Sequence, residues 1–120
     1  MIIDFHTHAF PEKIAEKAIE KLSYASGGLI PQTNGTVSGL KALMKKDGVD
    51  KSVALGIATN EKQQVAVNDF IKSQECEEII SFGSVYPRAE NAIEEIERIH
   101  SMGLKGIKLH PEYQQFFVDD

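Results

Sequence analysis

Four short apolar stretches alternate with segments of helical periodicity, and that alternation restricts the chain to very few folds. Residues 1–6, 51–57, 79–86 and 106–110 are rich in apolar and β-branched side chains and read as strands. None shows the strict alternation of a half-wet edge strand, so each is expected to be covered on both faces. Between the first two lie two helical stripes. Ile14, Ala15, Ala18, Ile19 and Leu22 mark one over residues 12–24, with Pro11 at its start. Val37, Leu40, Leu43 and Met44 mark another over about residues 37–46, with Gly48 past its end. A third helix, capped by Thr59 or Asn60, carries Val65, Val67, Phe70 and Ile71. The fourth, residues 90–102, has Ile93, Ile96, Ile99 and Met102 as its inward stripe; its acidic stretch, residues 90–97, is expected to face solvent. Strands that alternate with helices in this order predict a parallel sheet with right-handed crossovers. Residues 26–35 read as a loop, punctuated by Gly27-Gly28, Pro31 and Asn34-Gly35, and the tail from Tyr113 has no assignable element.

A chain of 120 residues is the size of one domain. Its 18 acidic and 13 basic side chains leave a net charge of −5, and the densest basic run is Lys45-Lys46. Phosphate binding needs a concentrated basic surface, so nucleic acid is not an expected partner. The single cysteine, Cys76, excludes an internal disulfide and a cysteine-based zinc site, and the adjacent Glu75, Glu77 and Glu78 are expected to oppose a thiolate. Asp4, His6 and His8 interrupt the apolar start, and no long apolar run follows; the expectation is a cytoplasmic protein without membrane contact. There is no glycine-rich phosphate cradle and no nucleophile elbow.

Two segments carry chemistry. His6 and His8 stand two residues apart at the end of the first strand, where alternation puts both on one face, able to converge on one ion. Neutral imidazole is a good ligand for zinc, manganese, iron or nickel. Asp4 shares their parity and is placed to orient a histidine. In the last strand Lys108 and His110 share a face opposite Ile107 and Leu109. A lysine there is costly unless paired, deprotonated or modified. Lys108 is therefore read either as a carbamylated metal ligand or as a cation for a substrate carboxylate. His100, late in a helix, is a favourable charge at a helix C-terminus.

Asp4-Phe5-His6-Thr7-His8-Ala9-Phe10-Pro11, together with Gly103-Leu104-Lys105-Gly106-Ile107-Lys108-Leu109-His110-Pro111, resembles the amidohydrolase superfamily. Within it, the segments are similar to the amidohydrolase-related branch that includes aminocarboxymuconate-semialdehyde decarboxylase and related lactonases and hydratases. The resemblance implies the N-terminal half of a (β/α)8 TIM-type barrel: a single partial domain over residues 1–120, with four parallel strands and flanking helices. It implies a divalent metal, zinc foremost, held by His6, His8 and Lys108, with Asp4 and His110 in substrate-binding or supporting positions. The implied activity is metal-dependent hydrolysis or decarboxylation of a small carboxylated or cyclic substrate, with the loop after strand one contributing selectivity. The later histidine and aspartate of such sites would lie beyond Asp120, so no catalytic residue is assigned and the chain alone is expected to be nearly inactive. Bare first and fourth strands imply a homo-oligomer assembled through exposed strand edges. Two other readings are a non-catalytic self-associating half-barrel module and a phosphoesterase of the polymerase-and-histidinol-phosphatase type. The latter also begins with D-x-H-x-H, but needs further ligands that strands two and three do not offer.

Overall fold

The structure, a computed structural model, describes residues 1–120. Its elements are β1 (Ile3–Thr7), α1 (Glu12–Ala25), α2 (Val37–Asp47), β2 (Lys51–Leu55), α3 (Gln64–Ser73), β3 (Ile79–Phe82), α4 (Ala92–Ser101) and α5 (Pro111–Gln114). A 3-10 turn, Glu61–Gln63, leads into α3. Local chemistry accounts for the clearest boundaries. Thr36 caps α2 by accepting a hydrogen bond from the Gly39 N–H at 3.0 Å, and Gly48 closes that helix at φ 71°, a left-handed conformation that suits glycine. No helix is long and apolar enough to cross a membrane.

The strands form one parallel sheet in the order β1-β2-β3. The expected four-stranded half-barrel is not what the chain forms: it is an α/β domain with a three-stranded sheet and five α-helices. Residues 106–110 make one parallel bridge, Gly83 with Ile107, through Gly83 N–H to Gly106 O at 2.9 Å and Lys108 N–H to Gly83 O at 2.7 Å. The ladder stops there because side chains take the backbone groups that would prolong it. Asn68 bonds both the N–H and the carbonyl of Ser84, the Ser84 hydroxyl donates to Lys108 O, and Gln114 donates to Val85 O. A backbone group already satisfied by a side chain has no need of a strand partner. The same competition ends β3 at Phe82 rather than at residue 86.

Ala54 and Ile79 point to the helical side, where Leu40 and Met44 of α2, Ile71 of α3 and Ile99 of α4 complete a core with Val85 and Leu104. Ser81 faces the same way, its hydroxyl donating to Ile71 O at 2.7 Å. Ile80 and Phe82 therefore face the opposite side, where the Phe5 ring meets Phe82 edge to face at 5.6 Å across β2. That side is not covered as the apolar strands predict: Phe5 is 64% and Ile3 47% exposed.

The fourth helix also departs from its periodicity. Ile99 is buried but Ile93 is 66% exposed, and Glu95, expected in solvent, is 4% exposed. Arg98 holds Glu95 through two bonds, 2.9 Å from Nε and 2.8 Å from a terminal nitrogen, and reaches Asp69 of α3 at 2.7 Å. Asn68 gives Glu95 a further bond at 2.7 Å. A carboxylate so fully paired tolerates burial, and the pairing rotates α4 so that Glu95 and Ile99 share its inner face.

Candidate functional site

A bulge in β1 builds the site. Asp4 is in register with Ser52 and Thr7 with Ala54, so β1 carries one residue more than β2 over this interval. Beyond it, side chains replace the backbone ladder: the Thr7 hydroxyl donates to Val53 O at 2.8 Å, and His8 Nδ1 lies 3.0 Å from Leu55 O. The His8 ring is thereby drawn to the C-terminal edge of the sheet, half-buried. His6 is exposed, and the two rings sit 5.2 Å apart with planes at 70°. A carbonyl can only accept, so His8 Nδ1 carries the proton and Nε2 presents a lone pair. The Asp4 carboxylate accepts from the His6 backbone N–H at 3.0 Å, so its bond within the pair is to backbone rather than to an imidazole.

His110 arrives from the other end of the chain. It caps α5, its Nδ1 accepting the Tyr113 N–H at 3.4 Å, and its ring stacks on Tyr113 at 3.9 Å and 11°. With Nδ1 as acceptor, neutral His110 carries its proton on Nε2. Gln114, 1% exposed, anchors this corner: its amide nitrogen donates to Ala58 O and Val85 O, each at 2.7 Å, and its oxygen accepts the His110 N–H at 2.8 Å.

His8, His110 and Tyr113 line a cleft of about 230 Å³ with Leu22 of α1 and with Ser26 and Leu29 of the following loop. A larger groove of about 590 Å³ adjoins it between α1 and α3, sharing Leu22 and Tyr113. Burial pushes His8 below the ordinary histidine value; the Leu55 carbonyl opposes this, while the charges of His6, Lys108 and His110 add to it. Burial also lowers His110, with Lys108 adding to the effect and Glu112 opposing it. Both rings are accordingly neutral at pH 7. Lys108 is half-buried and takes part in none of the ion pairs. The structure thus gathers His6, His8, Lys108 and His110 at one edge of the sheet and leaves the Asp4 carboxylate on backbone.

The donor set fits a divalent ion in part. Two imidazoles, one oriented through its second nitrogen by a carbonyl, are how zinc-binding histidines are held. No group of three His, Cys, Asp or Glu side chains converges; His6 and His8 supply two donors, one fewer than an open catalytic zinc site takes from its protein. Tyr113 and Gln114 were not legible as site residues. Their available signal was Pro111 following His110, a helix-start pair that defines α5.

Cys76 reverses its expectation. Burial pushes the thiol up, but the backbone N–H groups of Glu78 and Ile79 and the Lys41 ammonium outweigh that, and the net shift is downward. Cys76 is exposed. Lys41→Ala should therefore slow iodoacetamide alkylation of the native protein at pH 7.5 by about two- to fivefold. Equal rates in the two proteins would remove the ammonium from the account.

No protein-family model matches the chain, and no curated protein matches it.

Proposed function

We propose that the C-terminal edge of the sheet is a metal-assisted site of the amidohydrolase type, acting on a small carboxylated or cyclic substrate by hydrolysis or decarboxylation. The observation that carries this reading is the meeting of two neutral imidazoles of opposite tautomer, an unpaired lysine and an apolar cleft. His6 and His8 would hold the ion. Such an ion supplies Lewis acidity, polarising a carbonyl or acidifying water. His8 offers Nε2 as a lone pair, kept in place by Leu55. His110, whose Nδ1 accepts the Tyr113 N–H, would keep its proton on Nε2 as a donor for a substrate oxygen. Lys108, whose charge is felt by His8 and His110 and which takes part in none of the ion pairs, would be the cation for a substrate carboxylate at the edge of the cleft. Leu22, Leu29 and Tyr113 supply apolar walls for a ring or short chain.

Zinc binding by protein prepared without chelator tests the reading, measured by competition with a metal indicator. Cys76→Ser serves as background, because an exposed thiol also captures zinc. The expected result is about one ion per chain, with affinity reduced about 100-fold or more in His6→Ala/His8→Ala, whereas second-sphere changes typically cost 10–100-fold. Stoichiometric binding that survives the double substitution, or no saturable binding, would overturn it. His6 is exposed, so its loss alone leaves the fold intact and separates ligation from folding.

A further inference from the structure

We propose that the ligand of this site is an amphiphilic carboxylate whose apolar tail lies in the groove between α1 and α3. The proposal rests on the reading of the adjoining cleft as the place of a substrate carboxylate. The groove holds about 590 Å³ against about 230 Å³ for the cleft. A cavity of that size encloses most of a small-molecule ligand, so the groove has room for far more than the head group.

Two amphipathic helices create the groove by turning apolar side chains towards one another without closing the gap. Ala15 is the only buried residue of α1, while Ile14, Ala18 and Leu22 of the same stripe line the groove. Val67 and Phe70 of α3 line it too. The lining on α1 runs from Ile14 to Ala25, about 16 Å of helix. That length suits an extended tail rather than a compact ring. A tail laid there takes its own apolar surface and part of both stripes out of water.

Charge decides which end of the ligand goes where. Groove and cleft meet at Leu22 and Tyr113, which line both. No acidic side chain lines the cleft, His110 does, and Lys108 at its edge enters no ion pair. The groove carries one cation, Lys21, and one anion, Glu112, and neither is in an ion pair. Their opposite charges give it no net preference for a second charged group. A negative head joined to an uncharged apolar tail is the occupant that complements both compartments.

Calorimetric titration of the full chain, in the presence of a chelator, with butanoate, octanoate and octan-1-ol tests the proposal. Each methylene that enters an apolar groove strengthens binding by about fourfold, so octanoate should bind at least about 50-fold more tightly than butanoate. Octan-1-ol, which lacks the charge, should bind at least about fivefold more weakly than octanoate. Ala18→Trp fills the groove from α1 and should remove most of the octanoate gain while leaving butanoate unchanged. Ala66→Phe does the same from α3, and far-UV circular dichroism establishes that both variants are folded. Affinity that does not rise with chain length overturns the proposal. So does a gain that both folded variants keep, which places the tail elsewhere, such as against the exposed Phe5. Octan-1-ol bound as tightly as octanoate overturns the carboxylate. The titrations contain no free metal, so the two readings fail separately. Zinc binding without a chain-length gain overturns the tail alone, and a chain-length gain without zinc binding supports the tail and overturns the metal.

Discussion

Arg98→Ala should destabilise the domain by about 3 kcal/mol, lowering the thermal midpoint by about 10 °C. The substitution removes two bonds to a buried carboxylate and the link to Asp69, leaving Glu95 with Asn68 alone. Removal of one partner is far more damaging than the net worth of the pair, since the orphaned charge stays out of water. The pH dependence fixes the cause. The Arg98 bond holds the Glu95 carboxyl below its ordinary value, burial opposes this, and Asn68 assists. That stabilisation is present above the unfolded carboxyl value of about 4.5 and is lost as pH falls through the lower folded value. Without Arg98, burial favours the neutral carboxyl. The gap between wild type and variant should therefore be widest near pH 7 and shrink towards pH 3, as measured by urea unfolding across that range. A gap that stays constant, or a loss under about 1 kcal/mol at pH 7, would show that the pair is dispensable.

Gln114→Ala should cost about 2–3 kcal/mol, because it leaves the carbonyls of Ala58 and Val85 and the N–H of His110 without their partner. It should also unfasten α5, a single turn with little else to retain it. His110 is held below its ordinary value by burial first and Lys108 second, so a freed ring should titrate closer to 6.5, as read from its proton resonances. The linkage runs in the same direction. A histidine depressed in the folded state binds fewer protons there than when unfolded. Wild-type stability contributed in this way is present above about pH 6.5 and declines as pH drops through the folded values of His8 and His110. The variant should keep only the His8 part of that decline. An unchanged His110 titration in a folded Gln114→Ala protein would show that the stack on Tyr113 places the ring unaided.

By itself the sequence determined the strand and helix alternation, the parallel sense of the sheet, the helix stop at Gly48, and the His6–His8 spacing. Each is a local property, carried by residues at most a few positions apart. Only the tertiary structure decided that residues 106–110 bridge once without forming a strand, that Glu95 lies inside, that Tyr113 joins the cleft with Gln114 anchoring the corner behind it, and that one sheet face stays open. Each of these rests on a partner remote in sequence: Asn68 and Glu95 are 27 residues apart, Arg98 and Asp69 are 29, and Gln114 and Ala58 are 56. Periodicity tells which side of an element is apolar. It does not tell which backbone groups a distant amide will claim, and here those amides end the sheet and turn the helices.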